Sequence, residues 1–452
     1  MSGNVPTDNS NARQAVVALE MLSHASPLNA KLQSALAAAY EVAGEPQKAA
    51  RARVIAQALT ERNAPLLCDM ATAYLNHAQI AQAEHWYRIS LAIDPELAVA
   101  HQNLASVLRQ QGKPDEADEH LKRAYSRQAV FVEPGREGAP RVLMLCAGSV
   151  GNIPIKHLMP DGRYTQIRYF VEYAKESELA SVPKHDAVLN VIGDPDASAS
   201  EHTHLDTLLA STRRRVLNAP AHVARTRRDR LARLLADIEG AVVPATRRIE
   251  RTAGQSLADA IEPQALPYPV IVRPAASHGG QGMLLANTRT ELETHEAETH
   301  ALASASVVYA TAYHDYRSAD GHFRKYRVIF VDREPYPYHL AISPQWLVHY
   351  FSADMLKAPE KLDEERRFLE DPQAVLGARA MRILREIGQR LALDYAGIDF
   401  SMLPGGDLLV FEANATMLVH PEAPTSPLAH KNGYVQAIVD AFGAMVDRSC
   451  QT

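Results

Sequence analysis

Cysteine is scarce in this chain of 452 residues, which contains only Cys68, Cys146 and Cys450. Three cysteines so far apart exclude a disulfide framework and a cysteine-based zinc site, and they are typical of a protein from the reducing cytoplasm. The sequence also lacks an apolar run long enough to cross a membrane, and the polar residues 1–13 include no apolar segment of signal length. We therefore expect a cytoplasmic protein without membrane contact.

An excess of basic charge is also missing. The chain has 47 Lys and Arg against 53 Asp and Glu, which gives a formal net charge of -6 at pH 7. Nothing in this balance indicates a surface for nucleic acid. The length is sufficient for two or three domains with cores of their own. Composition therefore predicts a multidomain globular protein that does not bind nucleic acid.

The first third of the chain repeats with a period of 34 residues, which is the tetratricopeptide period. Three sets of matching positions show it: Gly44, Ala78 and Gly112; Ala49, Ala83 and Ala117; and Tyr40, Tyr74 and Leu108. We expect an α-helical solenoid over 1–130, with three repeats and a leading helix near 11–26, followed by a linker at 131–140. Such solenoids bind peptides or other subunits.

Strand and helix patterns alternate over residues 141–220. Strand patterns lie at 141–147, 185–192 and 215–218 with helical stretches between them, which predicts a small open parallel sheet. The loops after the first two strands carry Ser149, Asn152 and Asp194 at the edge where such sheets bind ligands. Each of these residues is either a substrate-binding candidate or a simple turn residue.

A glycine-rich turn follows a strand that ends in a cation. The strand at 270–274 contains Arg273, and the turn His278-Gly279-Gly280-Gln281-Gly282 precedes a second strand. Glycines let backbone N–H groups approach and wrap a polyphosphate. Without a Gly-Lys-Ser/Thr ending and a following helix, the segment is not a P-loop. Alone it is weak evidence, because most glycine-rich turns are only turns.

A predicted β-hairpin near the C-terminus carries three oxygen-bearing side chains. Its strands are 398–402 and 408–411, joined by the turn Pro404-Gly405-Gly406-Asp407. Asp399 lies on the first strand, and Glu412 and Asn414 share one face at the end of the second. Hard oxygen ligands of this kind suit Mg²⁺. Ordinary solvated acids are the alternative.

Together the glycine-rich turn and the hairpin resemble the ATP-grasp superfamily, especially D-alanine:D-alanine ligases, ribosomal-protein glutamate ligases and glutathione synthetases. The resemblance covers residues 141–446. It implies an α/β (α+β) ATP-grasp fold at 221–446, with a phosphate-loop part at 240–310 and a metal-binding part at 311–446, after a parallel-sheet pre-domain at 141–220. It also implies ATP and two Mg²⁺ ions, with Mn²⁺ as an alternative, held by Asp399 with Glu412 and by Glu412 with Asn414.

The resemblance assigns residues to the nucleotide. Two lysines of the family are arginines here: Arg273, and Arg230 in a basic helix predicted at 221–238, where Arg233 is a close second choice. Arginine keeps the charge, although the two side chains differ in geometry. The other ATP-binding residues that it implies are His278, Gly279, Gly280, Gln281 and Gly282 in the turn and Ala310, Ala312 and Asp315 in a hinge.

Further candidates follow the hinge. Lys325 and Arg327 share one face of a strand predicted at 322–330, and Arg324 takes the other face. Arg327 matches a family arginine near the acyl-phosphate, where developing charge needs positioned donors, so Arg327 and Lys325 are the catalytic candidates. Surface charge is the alternative. Three later residues, His339, His420 and Glu422, are candidates for substrate binding or for packing.

The resemblance implies an ATP-dependent carboxylate–amine ligase that forms an amide bond through an acyl-phosphate. Three functions stay open. The chain could join amino acids or small metabolites as a homodimer, or it could modify a peptide or protein recruited by the repeats. The third is a non-catalytic scaffold, which only the two lysine-to-arginine changes support. Intact Asp399, Glu412 and Asn414 argue against it.

Overall fold

The computed structural model describes residues 8–148, 151–174, 182–196, 203–252, 254–275, 277, 282–303 and 305–451. The chain divides into two units, Met1–Ala129 and Val130–Thr452. The first is helical, and the second combines three β-sheets with helices. Within the described ranges, no helix combines the length and apolar character needed to cross a membrane.

The described part of the first unit is a run of seven helices with a 34-residue repeat. They are α1 (Asp8–Ala25), α2 (Ala30–Val42), α3 (Pro46–Thr60), α4 (Ala64–Asn76), α5 (Ile80–Ile93), α6 (Ala98–Gln110) and α7 (Pro114–Arg127). After α1, the helices pack as the pairs α2 with α3, α4 with α5 and α6 with α7. The predicted helical repeat is confirmed, while its tetratricopeptide identity stays a prediction.

The turns inside the helix pairs explain the period. Gly44, Ala78 and Gly112 have φ angles of 76°, 57° and 75°, in the left-handed region that ends helices. After each turn a backbone N–H donates a hydrogen bond to a carbonyl of the preceding helix. The N–H of Glu45 donates to Tyr40 O at 2.8 Å, and the equivalent hydrogen bonds in the other two helix pairs are 2.9 Å long. Ala49, Ala83 and Ala117, where the helices of a pair meet, are all fully buried.

The second unit begins with a five-stranded sheet in the order β1-β3-β2-β4-β5. Its strands are β1 (Val130–Glu133), β2 (Arg141–Cys146), β3 (Thr165–Phe170), β4 (Ala187–Asn190) and β5 (Val216–Leu217), with α8 (Thr203–Ser211) before β5. The strands β2 to β5 are parallel, as predicted. β3 was not predicted, and neither was β1, which starts the expected linker and packs Phe131 edge-on against Phe170.

A four-stranded antiparallel sheet follows, in the order β7-β10-β8-β9. The elements of this part are α9 (Pro220–Val223), α10 (Arg228–Leu234), β6 (Ala241–Val242), β7 (Thr246–Glu250), α11 (Leu257–Ile261), β8 (Val270–Pro274), β9 (Leu284–Ala286), α12 (Arg289–Glu298), α13 (His300–Ala303) and β10 (Val307–Ala312). The single basic helix predicted at 221–238 is wrong. Arg227 is extended, with ψ of 136°, and separates α10 from a 3₁₀ turn.

The third sheet has the order β12-β11-β13-β14-β6 and is antiparallel except for β6. Its elements are β11 (Phe323–Val331), β12 (Glu334–Ser343), α14 (Pro359–Glu370), α15 (Pro372–Leu391), β13 (Tyr395–Met402), β14 (Leu408–Asn414) and α16 (Asn432–Cys450). Ile398 and Phe400 join the core formed with α14 and α15. Tyr395, on the opposite face, packs against Phe442 of α16. Asp399 shares that second face because strand side chains alternate.

Candidate active site

Four polar residues form one line across the third sheet. His339 on β12 pairs with Arg327 on β11, Arg327 pairs with Asp399 on β13, and Asp399 pairs with Glu412 on β14. Residues directly opposite one another in antiparallel strands point to the same face. We call these four residues the polar row. The hairpin predicted around Asp399 and Glu412 is confirmed.

A β-bulge borders the polar row on β12 and another on β14, the two strands at the ends of the row. Arg327 pairs with His339 and Val328 pairs with Pro337, so Tyr338 is an extra residue on β12. On β14, Phe411 is extra in the same way, between the partners of Asp399 and Phe400. A bulge locally changes the direction of side chains and is frequent beside active sites. The polar row therefore lies where the sheet departs from regular pairing.

Asp399 is the buried centre of the row, with 2% of its surface exposed. Arg327 donates to both carboxylate oxygens, from Nε at 2.6 Å and from Nη2 at 2.8 Å, and Lys325 Nζ lies 3.1 Å from Oδ2. Burial alone would raise the pKa of Asp399, but Arg327 and Lys325 hold it well below its usual range. On the other face of β11, Arg324 binds Glu364 and Asp320.

Glu412 is paired with an arginine that the sequence analysis missed. Arg228 Nη2 donates to Glu412 Oε2 at 2.8 Å, and the guanidinium lies 5.7 Å from the centroid of the Tyr309 ring. Burial would raise the pKa of Glu412, but the charge of Arg228 lowers it below its usual value. Arg228 is the first residue of α10, directly after the break at Arg227.

Arg230, the predicted partner of the phosphates, is exposed, and its Nη1 donates to Ala224 O at 3.4 Å. Arg233 is exposed as well. The choice of Arg230 assumed one continuous helix, and the break at Arg227 changes which arginine turns inward. The structure therefore replaces Arg230 with Arg228 as the cation of this segment next to Glu412.

Arg273 is a second buried cation at the same end of the row. Only 8% of it is exposed, its Nη2 donates to Ser277 O, and its Nε has no partner among the described residues. Burial, followed by the charge of Arg228, lowers the guanidinium pKa to about 10. Gly282 has a left-handed φ of 65°. The predicted residues His278, Gly279, Gly280 and Gln281, like Ser149, lie outside the described residues.

The ATP contacts predicted for Ala310, Ala312 and Asp315 stay predictions, and groups of all three residues have partners inside the protein. Ala310 is fully buried in β10 between the paired strands β7 and β8, so its backbone groups face neighbouring strands. The N–H of Ala312 donates to Ala245 O at 2.9 Å. Asp315 Oδ1 accepts from the backbone N–H of Arg317 at 3.1 Å, as in a turn. Recognition of adenine through the backbone would therefore compete with existing bonds at Ala310 and at the N–H of Ala312.

The two loop residues of the parallel sheet have different surroundings. The side-chain amide of Asn152 exchanges two hydrogen bonds of 2.8 Å with the backbone of Ala147, so it closes the loop and is not presented to a substrate. Asp194 Oδ1 accepts from the N–H of Asp196 at 2.8 Å. Its charge also acts on Arg228 and Arg273, so Asp194 lies on the side of the polar row that holds these two cations.

The remaining substrate candidates lie at the β12 end of the row. His339 is 6% exposed, and burial and then the charge of Arg327 hold its pKa well below the usual value. The backbone N–H of His420 donates to Tyr338 Oη at 3.4 Å. Both backbone groups of Glu422 bond to the Asn432 side chain, at 2.8 and 3.0 Å. The first bond ties the loop after β14 to β12, and the other two tie it to the first residue of α16.

Asp399 and Glu412 are opposed, ionised oxygen donors, which fits a Mg²⁺ ion that completes its shell with water and phosphate. Asn414 adds only an uncharged oxygen, and oxygens of all three candidates already have partners. Asn414 Oδ1 accepts from N and Oγ1 of Thr416 at 3.0 Å, Asp399 accepts from Arg327 and contacts Lys325, and Glu412 accepts from Arg228. Within the described ranges, no three His, Cys, Asp or Glu residues converge as a metal site. A divalent ion would therefore rest on the two carboxylates.

Residues 227–318 match the family model of the carbamoyl-phosphate synthase L chain, ATP binding domain. No curated protein is similar enough in sequence to be matched. Arg228 and Arg273 both fall within the matched span, so the segment that provides the two cations near Glu412 is similar to an ATP-binding domain.

Several solved structures are similar at low identity. D-alanine–D-alanine ligase from Bacillus anthracis complexed with ATP has a TM-score of 0.39 and 12% identity, covering 69% of this chain and 99% of that one. The RimK domain protein ATP-grasp from Sphaerobacter thermophilus has a TM-score of 0.36 and 18% identity, and the match covers 66% of this chain and 99% of that one. N5-carboxyaminoimidazole synthase from Aspergillus clavatus has a TM-score of 0.36 and 12% identity, and the match covers 67% of this chain and 77% of that one. Sheet topology and the family match confirm the predicted fold class, a run of helices followed by an ATP-grasp-like α/β unit.

Proposed function

We propose that the chain is an ATP-dependent ligase that activates a carboxylate as an acyl-phosphate and joins it to an amine. The observation that carries this proposal is the convergence of four cations, Arg228, Arg273, Lys325 and Arg327, on two ionised acids, the buried Asp399 and the partly exposed Glu412. Phosphoryl transfer depends on positioned charge and needs no nucleophilic side chain.

The end of the row at β14 is suited to the phosphates of ATP. Arg228 and Arg273 lie in the segment that matches an ATP-binding domain, and both act electrostatically on Glu412. A guanidinium offers a planar fork of donors that matches phosphate oxygens. Arg273 keeps an unpartnered, buried Nε within the described structure, so it has a donor to spare.

The middle of the row is suited to the reacting groups. A substrate carboxylate must approach the negatively charged γ-phosphate, and nearby cations offset their repulsion. Arg327 uses Nε and Nη2 on Asp399, which leaves Nη1 for this task among the described contacts. Asp399 and Glu412 would hold Mg²⁺, which when bound supplies further neutralisation of the phosphoryl oxygens.

The first test is ADP and phosphate release by the full-length chain with ATP, Mg²⁺ and a panel of amino acids, dipeptides and small carboxylates. Release that requires both a carboxylate and an amine would support the proposal and identify the substrates. If ATP binds without turnover, the same assay with peptides tests whether the helical unit recruits a larger substrate. A chain that binds no ATP would contradict the proposal.

Two arginines on one strand provide a matched pair of variants for that assay. Arg327→Met removes a donor on the site face, and we expect kcat to fall by about 10²–10³, as for other donors that stabilise transition-state charge. Arg324→Met removes an equally long cation on the opposite face, where it contacts Glu364 and Asp320. Equal losses of kcat in both variants would show that any change on the strand lowers activity, and they would contradict a specific role for Arg327 in the site.

A further inference from the structure

A buried lysine lies beside the β12 end of the polar row. Lys431 is 3% exposed, and its Nζ lies 4.3 Å from the centroid of the Tyr350 ring and 5.1 Å from that of Tyr338. The nearest carboxylate oxygen, Glu422 Oε1, is 4.0 Å away. No described residue accepts a hydrogen bond from Nζ, although an ammonium has three donors. A buried ammonium without hydrogen bonds is costly unless a ligand supplies acceptors.

His339 provides a second polar group against the same two rings. Its ring centroid is 4.9 Å from that of Tyr350 and 5.2 Å from that of Tyr338, and its Nε2 is buried with no partner in the described structure. With its pKa held well below the usual value, the imidazole is neutral and Nε2 can carry a proton to donate. His339 Nε2, which is a buried atom, and Lys431 Nζ therefore border one pair of tyrosines, and neither nitrogen has a hydrogen-bond acceptor among the described residues.

A purely structural role for Lys431 is a counter-charge for Glu365, which is fully buried. Glu365 already accepts from Tyr350 Oη at 3.0 Å and from the N–H of Leu340 at 3.3 Å, and His430 Nε2 lies 3.3 Å from its Oε2. The contacts from Tyr350 and Leu340 are hydrogen bonds, one to each carboxylate oxygen, and they form without Lys431, whereas His430 Nε2 makes no hydrogen bond within the described structure. Charge balance alone does not explain why the ammonium and the His339 Nε2 both lack acceptors.

We propose, on the basis of the proposed function, that Lys431 and His339 together bind a carboxylate of the substrate other than the one that is phosphorylated. One planar monoanion would accept from both groups and neutralise the ammonium. The order along the sheet supports this placement, because the phosphate-binding cations lie at the β14 end, Arg327 in the middle and His339 at the β12 end. The substrate class is then an amino acid or a dicarboxylic acid.

The loop that carries Lys431 is held in place before any ligand binds. The Asn432 side chain bonds both backbone groups of Glu422, ten residues earlier, and so closes the loop beside Lys431. The His420 N–H reaches Tyr338, and Tyr395 Oη donates to Met417 O at 2.6 Å. A cation held by its own loop loses less freedom on binding a ligand.

The test uses acetate as the probe, titrated into the full-length chain and followed by the width of its proton resonance. Lys431→Met keeps the apolar stem and should weaken acetate binding at least tenfold, since a charge-assisted hydrogen bond is lost. Lys357→Met, at a lysine whose side chain is 77% exposed, is the matched control and should leave binding unchanged. If Lys431→Met does not fold, the pair Lys431→Met with Glu422→Gln removes both charges and serves instead.

Acetate binding does not depend on ATP turnover, so its outcome is independent of whether the chain proves to be a ligase. Unchanged acetate affinity in the Lys431 variants would overturn the carboxylate site and leave the ligase proposal standing. In an active preparation, the same variants should raise KM for the carboxylate-bearing substrate at least tenfold while KM for ATP stays the same. An unchanged KM for that substrate would likewise overturn the inference.

Discussion

Asp399→Asn is the most informative change to the stability of the second unit. In the native chain three nitrogen atoms lie 2.6 to 3.1 Å from the carboxylate, which is 2% exposed. Asparagine keeps the shape but removes the charge and turns an N–H₂ group toward cations that can only donate. Arg327 and Lys325, with side chains 19% and 16% exposed, would then repel each other without an anion between them.

The expected loss is about 3–5 kcal/mol, the usual result of leaving one side of a buried ion pair uncompensated. Asp407→Asn is the control, because that carboxylate binds Arg379 at 2.9 Å with both side chains close to 40% exposed. Surface pairs of this kind contribute about 0–1 kcal/mol. The two variants remove the same carboxylate charge, so their difference isolates the effect of burial.

Urea unfolding in the presence of a chelator measures both variants without bound metal. The chain has two tryptophans, Trp86 in the helical unit and Trp346 in the second unit, so a Trp86→Phe background makes fluorescence report on the second unit alone. A loss for Asp399→Asn no larger than that for Asp407→Asn would refute the argument. It would mean that the three contacts do not form a tightly coupled, desolvated cluster.

Three further predictions follow from other features. Arg228→Met should weaken ATP binding by about 10–100-fold, measured by calorimetry, whereas Arg230→Met should have little effect, because only Arg228 faces Glu412. Gly388→Ala should cost about 1–3 kcal/mol in urea unfolding, since a Cβ there would meet the Arg333 carbonyl and the Phe330 ring, while Gly433→Ala, with open space around it, should be neutral or stabilising. Burial and the neighbouring His101 lower the pKa of His120 in the folded helical unit to about 4, whereas a histidine in the unfolded chain has a pKa of about 6.5. Between these pH values the unfolded state binds more protons, so the melting temperature of the helical unit should fall as the pH is lowered from about 6.5 to about 4. His120→Gln should flatten that dependence.

Periodic features of the fold could be predicted from the sequence. The 34-residue spacing of Gly44, Ala78 and Gly112 marks the same turn three times, and the turn residues at 404–407 mark the hairpin of β13 and β14. In both cases the signal is local, since a helix end or a tight turn is specified by residues adjacent in sequence. The sequence of β3 does not show a clear strand pattern, because Gln166 and Arg168 interrupt its apolar residues, although the strand lies between two others in its sheet.

The site could be predicted only in part, because its geometry depends on where regular structure breaks. Asp399, Glu412 and Arg327 were found as residues, but their alignment in one row follows from a register that the sequence does not display. Arg228 was missed because the break at Arg227 has no glycine or proline to mark it. Asn152 has the chemistry of a substrate ligand, yet a backbone partner five residues away satisfies it.

The two bulges place a constraint on how this protein can change over time. Deleting Tyr338 or Phe411 would restore regular pairing and leave the other residues of the strand opposite their present partners. Deleting a paired residue of β12 or β14 would instead move every later residue by one position and, because strand side chains alternate, exchange the core face and the site face beyond it. Single-residue deletions in functional descendants of this chain should therefore be confined to the two bulges and the turn at 404–407.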